Sequence, residues 1–198
     1  MNIGLLIEYD GTDFHGWQRQ QESPTIQALI EDNLSDVAGT KIVLYGASRT
    51  DSGVHAEAQV ANFYVSSGID PERWRSILNF RLPRTIRILC SQRMQDEFHA
   101  QKLAVSKVYE YRILNRDYSS ALDRRVLFYP RPLLWYRIRE AMPFLTGEKD
   151  FRAFQGAKAE VRTTVRTVYS FELYEDYQGL YRFRIEGSGF LKDRKSVV

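Results

Sequence analysis

The sequence predicts an α+β protein built from two ferredoxin-like (split β-α-β) halves with antiparallel sheets, the second half incomplete. Strand-length apolar runs and amphipathic helical segments follow one another as strand, helix, strand, strand, helix, strand over residues 1–97. Residues 98–198 begin the same cycle, without its final helix and strand. A length of 198 residues, 43% of them hydrophobic, is sufficient for one large or two small domains.

The first strand and helix are predicted from local signals. Residues 3–9 form an apolar run of strand length. Ser23 as N-cap and Pro24 at the first helical position predict the start of a helix that Gly39 ends. The predicted apolar stripe of this helix consists of Ile26, Leu29, Ile30, Leu34 and Val37.

Two further strands, a helix and a fourth strand complete the first half. The strands cover residues 43–45 and 59–65. Asp70-Pro71 opens the second helix, which ends before Pro83, and residues 86–94 form the last strand. The side chains expected to face inward from this helix are Trp74, Ile77, Leu78 and Phe80.

The second half is predicted to contain three long strands and one helix. The strands cover residues 106–114, 164–174 and 180–186, and the helix covers residues 133–145, with a short helical turn at 151–154. Alternation along the first strand places Lys107, Tyr109 and Tyr111 on one face, opposite Val108, Glu110 and Arg112.

Composition restricts the class of protein. The formal charge is only +3, so any nucleic-acid surface depends on where the 28 Lys and Arg residues lie. The single cysteine, Cys90, excludes an internal disulfide framework and a cysteine-based metal cluster. No apolar run approaches the length of about 20 residues that a membrane span requires. We therefore expect a cytoplasmic protein without a membrane or metal partner.

A short loop between two predicted strands concentrates chemical groups. Arg49, Asp51 and His55 lie within seven positions, among small residues that allow close approach of a ligand or backbone. An aspartate held beside an arginine can stay ionised and act as a nucleophile. The spacing alone favours a polar turn in which Asp51 caps the backbone and Arg49 is its surface partner.

Two other segments admit two interpretations each. The loop 14–21 is rich in aromatic and amide groups, which suit base recognition, yet Phe14 and Trp17 could also pin it to the core. Arginines are interleaved with aromatics over residues 109–139, which suits phosphate pairing and stacking, although arginine stems also cover apolar surface.

Several stretches together resemble the TruA-type tRNA pseudouridine synthases. The resemblance covers nearly the whole chain, and the joint match is highly specific although each motif alone is weak. The matching stretches are Tyr9-Asp10-Gly11-Thr12 with Gly16-Trp17-Gln18-Arg19-Gln20, Arg49-Thr50-Asp51-Ser52-Gly53-Val54-His55-Ala56, Asn79-Phe80 with Leu82-Pro83, Phe98-His99-Ala100, Lys107 with Tyr109 and Tyr111, and Gly187-Ser188-Gly189-Phe190-Leu191.

This resemblance implies a function and a set of site residues. It implies a homodimeric isomerase that needs no metal or cofactor and converts uridines of the tRNA anticodon stem-loop (positions 38–40) to pseudouridine. It makes Asp51 the nucleophile, places Tyr109 against the target uridine, and puts the RNA in a basic central cleft between residues 1–97 and 98–198. Arg49 is the candidate for a phosphate contact or for filling the vacated stack, its alternative role being to fix Asp51 as an ion pair.

The sequence departs from the family pattern at three places. Ser48 replaces a glycine, and Gln101 replaces an arginine. Near the C-terminus, Ser196 stands where the family has an arginine that pairs with the catalytic aspartate, and Arg194 lies two residues out of register. These departures lead us to expect a truncated chain with the fold of the family, impaired catalysis and poor solubility.

Two alternative functions follow from the same residues. A truncated homologue that only binds RNA would keep the RNA-binding surface without isomerisation. A ferredoxin-like regulatory module that binds a small ligand would show no salt-dependent affinity for tRNA, and the basic and aromatic residues over 109–139 argue against it.

Overall fold

The computed structural model describes residues 1–155 and 163–191. Contacts divide the chain into two compact units, Met1–Ala104 and Val105–Val198. The first unit contains β1 (Asn2–Tyr9), α1 (Ile26–Ala38), β2 (Leu44–Gly46), β3 (Ala56–Tyr64), α2 (Arg73–Arg81) and β4 (Ile86–Met94). Its sheet has the antiparallel order β2-β3-β1-β4, which confirms the predicted ferredoxin-like topology.

Helix α1 begins two residues later than predicted. Thr25, not Ser23, is the N-cap: its backbone is extended and its Oγ1 accepts a hydrogen bond from the Ala28 N–H at 3.4 Å. The Pro24 carbonyl instead accepts a hydrogen bond from the His15 N–H at 2.9 Å, which ties Pro24 to the preceding loop. The helix ends at Gly39 as predicted, where a φ of 68° favours glycine.

Helix α2 buries only part of its predicted inner face. Trp74 and Leu78 are fully buried, and Trp74 packs edge-on against Phe63 with ring centroids 5.3 Å apart. The expectation for Phe80 was wrong, because its side chain is 92% exposed. At 100° per residue, position 80 is rotated by about 200° from position 78 and therefore lies on the opposite side of the helix.

A buried carboxylate joins α1 to the sheet. Glu31 is 6% exposed, and its Oε1 accepts hydrogen bonds from the Leu44 N–H at 2.9 Å and from Gln27 Nε2 at 3.0 Å. Its Oε2 accepts a hydrogen bond from Arg19 Nε at 2.7 Å. Since a buried charge is tolerated only when it is paired and hydrogen-bonded, this network fixes α1 against β2 and the loop that carries Arg19.

The second unit repeats part of the first topology. Its strands are β5 (Lys107–Leu114), β6 (Leu127–Phe128), β7 (Gly147–Asp150), β8 (Val165–Tyr177) and β9 (Leu180–Gly187), with helix α3 (Trp135–Ala141) and short 3₁₀ helices at Met142–Leu145 and Arg152–Phe154. The sheet order is β6-β5-β9-β8-β7, in which β5-β9-β8 corresponds to β1-β3-β2. The sequence did not predict β6 and β7, because two and four residues are too few to show alternation.

The helix predicted over 133–145 is shorter than expected. Helix α3 ends at Ala141, and the chain continues as the 3₁₀ helix that contains Pro143. Proline has no N–H and its ring crowds the preceding turn, so it does not extend an α-helix.

The sheet of the second unit has two different faces, as the alternation in β5 predicted. On one face, Arg182 pairs with Glu110 at 3.0 Å and with Asp176 at 2.9 Å. Hydrogen bonding to Arg182 lowers the pKa of Asp176. On the other face, Trp135 of α3 stacks on Tyr181 with ring centroids 3.6 Å apart. The polar face is thus held by surface ion pairs and the other by aromatic packing.

In the described part of the chain, no helix has both the length and the apolar character needed to cross a membrane.

Replacing Glu31 with alanine should lower the free energy of unfolding by about 1–3 kcal/mol, because the buried Leu44 N–H loses its acceptor. Urea unfolding of the whole chain measures this change. The matched control is Asp32→Ala, which removes only the exposed ion pair to Arg19 and should cost at most about 1 kcal/mol. Equal losses of unfolding free energy in the two variants would show that the buried hydrogen-bond network does not contribute to stability.

Candidate active site

The catalytic-loop candidate, residues 47–55, connects β2 to β3 and ends in a tight turn. The Val54 N–H donates a hydrogen bond to the Asp51 carbonyl at 3.2 Å, and Gly53 has a φ of 78°. The side chains of Arg49 and Asp51 are both exposed. The turn therefore presents the Asp51 carboxylate to solvent, on a backbone that is itself hydrogen-bonded.

The polar-turn interpretation required an ion pair between Arg49 and Asp51. Within residues 1–155 and 163–191, no such pair forms. Asp51 and Arg49 are both exposed. Both groups are thus solvated and available to a bound molecule.

A second loop, residues 10–17, is hydrogen-bonded to the catalytic-loop candidate. The Trp17 N–H donates a hydrogen bond to the Thr50 carbonyl at 3.0 Å, and the Phe14 carbonyl accepts hydrogen bonds from the Gly53 N–H and from Ser52 Oγ, both at 3.2 Å. Phe14 is 8% and Trp17 is 2% exposed. These two aromatic residues therefore pin the loop to the core, as one of the two interpretations predicted, and base recognition by its amide side chains stays a prediction.

Glycines let the two loops touch backbone to backbone. A Cβ added to Gly11 would lie 2.0 Å from the Val54 carbonyl oxygen, and one added to Gly16 would lie 2.5 Å from the Thr50 carbonyl oxygen. Gly16 also has a φ of 84°. Neither position has space for a side chain, so glycine is required at both for the contact between the loops.

His55 has a structural environment. Its Nδ1 accepts a hydrogen bond from the Gly11 N–H at 3.1 Å and lies 3.0 Å from Asp10 Oδ1. Asp10 Oδ1 also accepts hydrogen bonds from the main chain and hydroxyl of Thr12. The histidine of the motif, which the sequence left unassigned, therefore links the end of the catalytic loop to the turn after β1.

Two buried amides hold the Phe98-His99-Ala100 loop on the first unit. Asn2 and Asn62 are both fully buried, and Asn62 Nδ2 donates a hydrogen bond to Asn2 Oδ1 at 2.9 Å. Asn2 Nδ2 donates to the Phe98 carbonyl at 2.8 Å, and Asn62 Oδ1 accepts from the Ala100 N–H at 2.9 Å. Asn62 thus fixes this loop from the end of the strand that follows the catalytic loop.

In the second unit, Tyr109 lies on β5 opposite Ile185 and is half-buried. Its ring meets Phe190 edge-to-face, with centroids 5.0 Å apart. Phe190 is 36% exposed, so the pair lies at the surface of this unit and not in its core. Aromatic side chains at a protein surface are the groups on which nucleic-acid bases stack.

Lys107 begins the same strand and lies on the same face as Tyr109. Burial lowers the pKa of Lys107, and the positive charge of Arg166 lowers it further. The Arg166 side chain lies close to the backbone of Gly189, where an added Cβ would be 3.6 Å from Arg166 Nε. Two cations are therefore close together beside the aromatic pair, at a cost that a bound anion would offset.

One of the two predicted uses of the arginines between 109 and 139 is observed, and the other, phosphate pairing, stays a prediction. Arg116 lies over the Tyr118 ring, with its guanidinium carbon 4.1 Å from the ring centroid, and thereby covers an aromatic surface. Arg124, Arg125 and Arg131 are exposed and leave positive charge on the surface of the second unit. This charge distribution is compatible with binding to a phosphate backbone.

The remaining sequence expectations concern residues 192–198. Asp193, Arg194 and Ser196 lie outside the described residues, so their relation to Asp51 stays a prediction. Within the described ranges, no three His, Cys, Asp or Glu side chains come together in a way that could hold a metal ion.

Comparison with known proteins places this chain in a family. The family model described as tRNA pseudouridine synthase matches residues 5–101 and 141–194, which include the catalytic loop. The chain is 40% identical to tRNA pseudouridine synthase A of Acetivibrio thermocellus and 38% identical to that of Clostridium botulinum. Each match spans all 198 residues of this chain and 81% of the relative.

The fold and these matches define the class of protein as an isomerase of the pseudouridine synthase type. The chain belongs to the tRNA pseudouridine synthase family. The resemblance that the motifs indicated is thereby confirmed.

The sequence motifs assigned no role to the pair Tyr9 and Thr50 or to Asn62. Tyr9 and Thr50 lie within quoted motifs, and their hydroxyls are 2.8 Å apart. Asn62 follows the catalytic loop, and no sequence signal paired it with Asn2, because the two residues are 60 positions apart.

Replacing Gly16 with alanine should destabilise the first unit more than replacing Gly53 with alanine. Both positions have a positive φ, which costs an alanine about 1–2 kcal/mol. Gly16 additionally meets the Thr50 carbonyl oxygen, whereas a Cβ at Gly53 would have no atom within 4 Å. Urea unfolding of both variants measures the difference, and equal destabilisation would contradict the close packing of the two loops.

Proposed function

We propose that this chain converts uridine to pseudouridine in the anticodon stem-loop of tRNA, with Asp51 as the nucleophile. The observation that carries the proposal is the exposed Asp51 carboxylate on a loop whose backbone is hydrogen-bonded to a buried second loop. The family match includes both loops. The homodimer and the cytoplasmic location are further proposals, which the family resemblance supports.

The reaction rearranges bonds within one nucleotide. The C1′–N1 bond breaks, the uracil rotates, and a C1′–C5 bond forms, after which C5 loses its proton and N1 gains one. No external electron or group donor takes part in this balance. An ionised carboxylate beside the ribose can attack C1′ or C6, or remove a ribose proton, so one residue of this type is sufficient to begin the reaction.

Exposure of Asp51 is compatible with this role. A target uridine in a structured stem-loop has to leave its stack, at a cost of a few kcal/mol, to reach a carboxylate on the protein surface. The bound nucleotide then displaces water from Asp51, which strengthens electrostatic interactions at the site. We assign Arg49, exposed two residues before Asp51, to a phosphate contact or to the space that the flipped base vacates.

We assign base stacking to Tyr109. Its ring is half-buried and meets the Phe190 ring edge-on. The family resemblance, which places Tyr109 against the target uridine, supports this assignment. Stacking of one base on an aromatic side chain contributes roughly 1–3 kcal/mol. We further propose that the first domain, residues 1–97, supplies the catalytic loop and that the second, residues 98–198, supplies the stacking and phosphate contacts.

Replacing Asp51 with asparagine should abolish isomerisation, because the amide has no negative charge with which to attack. We expect the rate to fall by a factor on the order of 10⁴ or more, as for other removed nucleophiles. Release of tritium from uridine C5 of an unmodified tRNA measures turnover. The matched control is Asp36→Asn on α1, where the exposed carboxylate pairs with Arg81 and should not affect turnover.

Turnover that persists in Asp51→Asn would refute the assignment. A wild-type chain that binds tRNA but releases no tritium would instead be a protein that only binds RNA, as the alternative function requires.

Replacing Lys107 with methionine should weaken tRNA binding and reduce its salt dependence. Loss of one phosphate contact makes the slope of log affinity against log salt concentration less steep by about one. The variant should be at least as stable as the wild type at neutral pH, because burial of the Lys107 ammonium is unfavourable. Filter binding over a salt series measures the slope.

The matched control for this change is Lys41→Met, an exposed lysine in the loop after α1 and outside every quoted motif. It should leave the slope unchanged.

The sign of the pH dependence of stability also follows from Lys107. Because its folded-state pKa is lowered, the unfolded chain binds more protons, so stability in wild type rises between the lowered pKa and 10.5.

A further inference from the structure

Tyr9 and Thr50 form a hydrogen bond to which the proposed mechanism gives no role. The Tyr9 hydroxyl lies 2.8 Å from Thr50 Oγ1, and either oxygen can be the donor. Tyr9 is 2% exposed and ends the central strand β1, where it pairs with Ala56 of β3 and Ile86 of β4. Because Tyr9 is buried and its strand is paired on both sides, its hydroxyl has a fixed position. Thr50 of the catalytic loop is hydrogen-bonded to that hydroxyl.

Thr50 is held at both its side chain and its main chain. Its carbonyl accepts the Trp17 N–H, and its Oγ1 bonds to Tyr9. The next residue is Asp51, whose own carbonyl accepts the Val54 N–H. Thr50, the residue before Asp51, is therefore fixed through both its side chain and its main chain.

We propose that the hydrogen bond between Tyr9 and Thr50 positions the Asp51 carboxylate for its reaction with the flipped uridine. Tyr9 and Thr50 are thus positioning residues of the isomerase, and the inference rests on the function proposed for Asp51. The bond meets a specific need, since Asp51 is exposed and no ion pair with Arg49 orients it within the described residues.

Precise placement affects the chemical step more than binding. A displacement of about 1 Å between reacting groups can reduce the rate of the chemical step about a hundredfold. Without its hydroxyl partner, Thr50 can change rotamer and the Thr50–Asp51 peptide can rotate, while the phosphate and stacking contacts remain. The turnover number should therefore fall while the affinity for tRNA is kept.

The test compares four variants of the full chain with an unmodified tRNA as substrate. Tyr9→Phe and Thr50→Val each remove one hydroxyl, Thr50→Ser keeps the hydroxyl, and the fourth combines Tyr9→Phe with Thr50→Val. We expect the two single removals to lower kcat about ten- to a hundredfold, with the Kd for tRNA unchanged. Thr50→Ser should restore most of the rate, and the double variant should be no slower than the slower single variant.

Several controls separate positioning from loss of fold. Thr50 is half-exposed, so Thr50→Val tests the bond without opening a core cavity if Tyr9→Phe unfolds the chain. Tyr177→Phe removes a tyrosine hydroxyl that hydrogen-bonds Asp123 in the second unit and should leave kcat unchanged. Urea unfolding of each variant shows whether a change in rate follows a change in stability.

The inference is overturned if Tyr9→Phe and Thr50→Val turn over at the wild-type rate, or if Thr50→Ser is as slow as Thr50→Val. It is also overturned if the losses appear only in Kd. Asp51→Asn in the same assay separates this result from the underlying function. If Asp51→Asn is inactive and the hydroxyl variants are normal, positioning alone fails; if Asp51→Asn is active, the proposed function fails and the inference fails with it.

Discussion

The contact between the loops 10–17 and 47–55 is the constraint on which the candidate site depends. A loop of nine residues that displays an exposed carboxylate would otherwise sample many conformations, because fixing each residue costs about 1–2 kcal/mol of conformational entropy. Here the hydrogen bond from the Trp17 N–H to the Thr50 carbonyl and the close approach of Gly16 remove that freedom. The rigidity of the site therefore comes from the core of the first unit and not from the loop itself.

Burial of the supporting loop explains how an exposed residue can be well placed. Trp17 is almost fully buried and contacts Tyr9, with ring centroids 5.9 Å apart. Arg19, four residues after His15, is joined to the buried Glu31 of α1. The C-terminal end of the loop is thus fixed by the apolar burial of Trp17 and by the hydrogen-bonded charge of Arg19 just beyond it. The same contacts therefore stabilise the fold and hold the turn that carries Asp51 in place.

The two faces of the sheet in the second unit carry different side chains. Ion pairs around Arg182 cover one face, and their exposure limits what each contributes to stability. The other face carries Lys107 and Tyr109. Burial and the neighbouring charge of Arg166 disfavour the charged form of Lys107. A bound anion would favour that charged form.

The sequence by itself determined the topology of the first sheet, the C-terminal end of α1 at Gly39 and the membership of the family, because periodicity, turn residues and joint motifs are local signals. Only the tertiary structure decided that Thr25 caps α1 and that β6 and β7 exist. It also brought Tyr9 to Thr50, 41 positions away. The physical reason is that hydrogen bonds and close approaches between distant segments depend on how the segments pack, and no local pattern encodes which partner a buried hydroxyl will meet.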